Sequence, residues 1–150
     1  MILDANVLLY AADRRSERHE MAVSFLTDVL TGDTRVGLPW QTLGAYLRLV
    51  THPRITTHPL SPADAWRDVE AWLAADVAWI PETGTRTAQI LGHLITRHGC
   101  TGNLVTDAQL AALAIEYGVP VASADSDFAR FPEVLWINPF DGHRDSSRGT

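Results

Sequence analysis

The chain has no lysine and only one cysteine, Cys100. A single thiol forms no internal disulfide and cannot build a cysteine-based metal site, which fits a reducing compartment such as the cytoplasm. Nowhere do 18 apolar residues run together, and the amino terminus has neither a basic segment nor a long apolar one. A membrane span and a targeting signal are therefore not expected, and the chain reads as soluble and cytoplasmic. No Ser-His-Asp or Cys-His signature occurs, and His52, His58, His93 and His98 show no repeated metal-ligand spacing. Between Asp33 and Asp64 there is no Asp or Glu at all. Positive charge is also scarce: the formal net charge of -6 argues against a protein that coats nucleic acid non-specifically.

What is present suits one globular domain over residues 1–140, followed by a polar tail at 141–150. A chain of this length buries roughly 70% of its unfolded surface and needs no covalent staples. The few cations are grouped. Arg14, Arg15, Arg18 and His19 form one cluster, and Arg48, His52, Arg54 and His58 another. Each is either an ordinary solvated surface or the flank that a polyanion needs when it approaches an acidic site.

Periodicity divides the chain into short apolar strands and amphipathic helices. "MIL" is a strand ending at Asp4, and "ANVLLYAA" begins a helix. "SERHEMAVSFLTDVLTG" predicts a helix capped by Ser16, with Met21, Val23, Phe25, Leu26 and Leu30 on its apolar face. "RVGLP" is a short strand, and "WQTLGAYLRLVT" a helix that the following proline ends. "SPADAWRDVEAWLAA" starts with Ser61 as cap and Pro62 at the first helical position. "VAWIP" is a strand. Helices "TGTRTAQILGHLITRHG" and "NLVTDAQLAALAIEYG" follow, closed by Gly99 and Gly118, then the strands "VPVAS" and "EVLWIN". The tryptophans fall inside these elements and are expected in the core. Strands alternating with helices imply a short parallel sheet covered on both faces, an α/β three-layer domain.

In such a sheet ligands bind beyond the carboxyl ends of the strands, where the strand order reverses. Asp4 follows the first strand, and Asp125 and Asp127 follow "VPVAS". Asp107, near the start of a helix, can face the same crevice. Each acid also has a purely structural reading: Asp107 as a helix cap, Asp125 or Asp127 as the cap of the "SDFAR" turn. Asp4 ends an apolar strand with no obvious local cation and is harder to explain that way. Clustered carboxylates repel unless a cation neutralises them. Oxygen-only ligands suit Mg²⁺ or Mn²⁺, which cleave phosphodiesters without a protein nucleophile. Glu116 lies too far along its helix to join them.

The ordered segments "ILDANVLLYAA", "LRLVTHPRI", "GNLVTDAQLAALAIEYG" and "SADSDFARF" resemble a PIN-domain ribonuclease of the VapC toxin family, over about residues 2 to 140. The resemblance implies a three-layer α/β/α PIN-like fold and an endoribonuclease dependent on Mg²⁺ or Mn²⁺. It also implies the toxin role in a toxin–antitoxin pair, a VapB-like antitoxin as partner, RNA as substrate and a homodimer. It assigns catalysis to Asp4, Asp107 and Asp125, and metal binding to these three with Asp127. Asn6 and Ser123 match small polar residues that support the carboxylates, and Arg48 and Arg54 are placed as RNA contacts. Many relatives carry a glutamate where this chain has no acid between Asp33 and Asp64, which favours one ion over two. Two rivals stand beside this reading. One is phosphoryl transfer through an aspartyl intermediate in the haloacid-dehalogenase style, which wants an acid where Asn6 stands and a lysine that the chain lacks. The other is a catalytically inactive PIN-like module that binds RNA or protein.

Overall fold

A computed structural model of the chain describes residues 1–141. The elements run β1 (Ile2–Leu3), α1 (Ala5–Ala12), α2 (His19–Leu30), β2 (Val36–Gly37), α3 (Trp40–Val50) and α4 (Pro62–Leu73). They continue with β3 (Ala78–Trp79), α5 (Thr85–His98), α6 (Asn103–Tyr117), β4 (Val121–Ala122), a 3-10 turn (Ser126–Arg130) and β5 (Trp136–Ile137). The five-stranded sheet has the order β3-β2-β1-β4-β5, and every pairing is parallel. Past Asp141, the expected polar tail lies outside the described residues.

Each strand has only two residues, yet that is enough to separate the layers, because successive side chains point to opposite faces. Ile2 and Val121 pack with Leu94, Leu104, Ala108 and Leu110 of α5 and α6. Their neighbours Leu3 and Ala122 pack on the other side with Val7, Leu26, Leu43 and Tyr46 of α1, α2 and α3. Both cores are therefore threaded by the same two central strands, whose registers are Ile2 with Val121 and Leu3 with Ala122. Helix ends follow their chemistry. Ser61 accepts the Asp64 N–H at 3.1 Å to open α4, and Gly99 and Gly118 close α5 and α6 at φ of 59° and 64°.

Three local expectations fail. Ser16 does not cap α2, which starts at His19; its hydroxyl accepts the Arg18 N–H at 3.1 Å in the turn before the helix. The face that α2 buries is Ala22, Phe25, Leu26, Val29 and Leu30, the spacing of one helical stripe, so Met21 and Val23 turn outward at 36% and 40% exposure. Trp40 and Trp66 lie on the surface, 55% and 42% exposed, beside the buried stripes of α3 and α4 rather than within them. Among the described residues, no helix is long and apolar enough to cross a membrane.

Candidate metal centre

The strand order reverses between β1 and β4, so the residues that leave these two strands emerge side by side. The Asp4 N–H donates to the Ala122 carbonyl at 3.0 Å, and Ser123 N–H donates to Ile137 O at 3.0 Å. Asp4 then turns the chain into α1, its Oδ1 accepting the Ala5 N–H at 2.7 Å. Its other oxygen accepts from the Ser123 hydroxyl at 2.6 Å and from Asn6 Nδ2 at 2.9 Å. Asn6 Nδ2 also reaches Ser123 Oγ at 2.9 Å, and Asn6 Oδ1 accepts the Ala124 N–H at 3.1 Å. Ser123 Oγ accepts the Asp125 N–H at 3.0 Å, while Trp136 Nε1 donates to the Ser123 carbonyl at 2.9 Å. Every polar atom of this knot is used, which fixes the Asp4 carboxylate and the path of the chain toward Asp125.

Asp107 comes from the other layer. Helix α6 begins at Asn103 with Gly102 as its cap residue, so Asp107 lies in the second turn and does not cap the helix. It is buried at 8% exposure, facing the end of the sheet. Asp125 does cap the 3-10 turn, its Oδ1 accepting the Asp127 N–H at 2.9 Å, which leaves its second oxygen for another partner. One oxygen each of Asp107, Asp125 and Asp127 lie within 4.8 Å of one another. Asp4 stands outside that triplet but close enough that the charge on Asp125 acts on it.

Electrostatics report the crowding. Burial, followed by the charges of Asp125, Asp4 and Asp127, pushes the Asp107 carboxyl up to about 7. Burial also raises Asp4, and Asp125 adds to this; the hydrogen bonds from Ser123 and Ala5 pull the other way. The salt bridges among the described residues are Arg67–Asp64, Arg97–Glu133 and His98–Glu133, so none of them neutralises these four acids. Glu116 is engaged elsewhere, accepting the Thr87 hydroxyl. Arg48, in the last turn of α3, and Arg54, in the loop after it, are exposed and do not join the acids.

Sequence reasoning missed Thr42, whose buried hydroxyl donates to the Leu3 carbonyl at 2.6 Å and ties the start of α3 to the strand that delivers Asp4.

An excess of carboxylates held together without a cation, all hard oxygen donors, fits a divalent metal ion. On a parallel α/β sheet the cluster stands at the strand-order reversal, where ligand sites of such sheets lie. Residues 1–134 match the model of the PIN domain, and the chain belongs to that family, among its VapC ribonucleases. Ribonuclease VapC37 of Mycobacterium tuberculosis is 44% identical over 138 residues, covering 92% of this chain and 96% of that protein. Ribonuclease VapC33 of the same species is 37% identical over 139 residues, covering 93% and 97%. The crystal structure of VapBC2 from Rickettsia felis, bound to a DNA fragment from their promoter, contains a chain of similar fold. Its TM-score is 0.68 at 16% identity, over 91% of this chain and 96% of that one.

Proposed function

We propose that this chain is a metal-dependent endoribonuclease, the toxin of a VapBC-type pair, that cuts RNA phosphodiester bonds at the acidic cleft. The observation that carries the reading is the triplet Asp107, Asp125 and Asp127, whose oxygens lie within 4.8 Å with no cation paired to them among the described residues. These three, with Asp4 beside them, would hold Mg²⁺ or Mn²⁺. The bound ion would supply Lewis-acid polarisation of the scissile phosphate and a nucleophile at neutral pH.

The chain's own groups have separate tasks in this reading. Asn6 and Ser123 hold the Asp4 carboxylate in one orientation. Asp107, raised to about 7, is the acid whose proton must leave before a cation binds. Asp127, exposed at the rim, is the most replaceable ligand. The absence of an acid between Asp33 and Asp64 favours a single ion. The inactive-module alternative draws no support from relatives named as ribonucleases.

The Rickettsia felis structure is a VapBC complex. By analogy the partner here is a VapB-like antitoxin, and an arginine-bearing segment of it is the natural plug for unneutralised carboxylates, because guanidinium matches carboxylate geometry. A cytoplasmic homodimer completes the reading, which light scattering of the purified protein checks. The deciding experiment incubates the protein with single-stranded RNA in Mn²⁺ or in EDTA, beside Asp107→Asn. Cleavage by the wild type in Mn²⁺ alone supports the proposal; equal cleavage by Asp107→Asn sinks the site assignment.

A further inference from the structure

The segment "THPRITTHPL" plays no part in the acidic centre, yet it is firmly built. Its ends are joined by the Leu60 N–H donating to the Val50 carbonyl at 2.8 Å, which makes residues 51–60 a closed surface loop of the compact kind that often carries function. The Thr51 hydroxyl ties it to Leu47 O at 2.7 Å, and the Arg54 N–H to His52 Nδ1 at 3.1 Å. The loop folds over the carboxyl ends of α1 and α3 and encloses a cavity of about 590 Å³. Tyr10, Leu49 and Ile55 give it an apolar floor, and Arg14, Arg15 and His58 a basic rim. Ile55 is 55% exposed, a large apolar side chain left open to this space. Arg15 Nη1 contacts His58 Nδ1, a link across 43 residues that ties the loop to the arginines after α1. In a chain of net charge -6, two adjacent arginines, Arg14 and Arg15, line this one cavity.

The acids lie at the other end of α1. At about 1.5 Å per residue, Tyr10 and Ala12 are roughly 9–12 Å along the helix from Asp4. A strand of RNA held at the acidic centre can therefore reach the cavity within a short run of nucleotides. We infer that this cavity is a nucleotide subsite, taking one base of single-stranded RNA on its apolar floor and the adjoining phosphate on Arg14 and Arg15. The inference rests on the nuclease reading and extends it from the bond that is cut to the bases that select it.

The orientation follows from charge. The floor lies under the carbonyl ends of α1 and α3, where an anion is disfavoured and a neutral base is not. Asp13 also lines the cavity, its Oδ1 occupied by the Arg15 N–H at 3.1 Å, so the phosphate stays out at the guanidinium rim. Arg14 makes no side-chain hydrogen bond among the described residues and is free to move onto it. A base against apolar and aromatic side chains is recognised with little dependence on identity, and the cavity walls then set its size.

The test uses the full chain in EDTA, so that no RNA is cut. Amide chemical shifts are followed as uridine, adenosine, cytidine and guanosine 5′-monophosphates are added, with uridine and inorganic phosphate as separate arms. The nucleotides should shift residues 10–15 and 51–60, with uridine and phosphate each weaker by about tenfold or more. Arg14→Glu, an exposed change, should keep the wild-type melting temperature and lose nucleotide binding by about tenfold. In Mn²⁺ its KM for single-stranded RNA should rise by a similar factor while kcat holds within about twofold, and the distribution of cut sites should change. Nucleotide shifts confined to the acidic cleft, or an Arg14→Glu protein with unchanged affinity, KM and cut sites, overturn the subsite. So does binding of an acidic amphipathic peptide at residues 51–60 where nucleotides leave them unmoved. A wild-type protein that cuts no RNA in any divalent ion would instead strike the nuclease reading, and the EDTA arm would still decide the subsite.

Discussion

The hydroxyl of Ser123 donates to the carboxylate of Asp4 at 2.6 Å, across 119 residues of sequence. The contact joins the two strands at which the sheet order reverses. Replacing Ser123 by alanine removes the donor to Asp4 and the acceptor of the Asp125 N–H together. Cleavage by Ser123→Ala should fall about 10- to 100-fold, the range typical of residues that orient metal ligands. Initial rates at saturating Mn²⁺, with a circular dichroism spectrum to verify folding, provide the check.

Asp4→Ala and Asp107→Ala should each reduce cleavage below detection while the protein stays folded. Asp127→Ala should be milder, since its exposed carboxylate is the one that water replaces most readily. If Asp127→Ala proves the most damaging of the three, the order of importance argued from burial is wrong.

Stability should depend on pH with a defined sign. Burial and neighbouring acids hold Asp107 near 7, above the unfolded carboxylate value of about 4. The protonated carboxyl therefore favours the metal-free fold at low pH, and this contribution is lost as pH rises through about 7. In EDTA the difference in melting temperature between wild type and Asp107→Asn should open between about pH 4 and pH 7, with the variant the more stable at the upper end. A constant difference across that window would mean that Asp107 is not raised.

Metal should reverse that penalty. Mn²⁺ at a hundredfold above its dissociation constant should stabilise the wild type by about 2.7 kcal/mol, and Asp107→Asn should lose most of the gain. Because binding displaces a proton from Asp107, the apparent affinity should climb with pH and level off above about 7. Thermal melts at several pH values read both effects.

Away from the site, Gly37 is constrained by close packing. A Cβ there would meet Ile2 Cδ1 at 2.5 Å and the Trp79 ring at 2.8 Å. Gly37→Ala should therefore cost about 1–3 kcal/mol in chemical denaturation. Activity per folded molecule should be retained, since the clash falls on the Ile2 and Trp79 side chains, which pack in the core with α5 and α6 and not among the acids.

Much of this was legible in the sequence because it depends on local pattern. The runs "MIL" and "VPVAS" are apolar throughout, as strands buried on both faces must be, and the acids that follow them are carried to one edge by parallel pairing. Other features turn on long-range packing, which pattern does not encode. Asp107 belongs to the second turn of its helix because α6 starts at Asn103, where Gly102 supplies no side-chain cap to mark the boundary. Periodicity puts Trp40 in a helix but does not show that it lies at the surface. The meeting of Arg15 with His58 depends on how α1 and the loop at 51–60 pack, and neither cluster alone announces the other.

The pairing of β1 with β4 also sets a timetable. The inner edge of Ile2 and Leu3 stays unpaired until residues 121 and 122 have been synthesised, and three of the four acids come from residue 107 onward. A nascent chain therefore carries its first strand and Asp4 without a site around them until the later acids and β4 have been added. Contacts this distant in sequence form late and slowly. The cleft therefore closes only after residue 127 has been made, and an amino-terminal fragment that stops short of it holds Asp4 but no site.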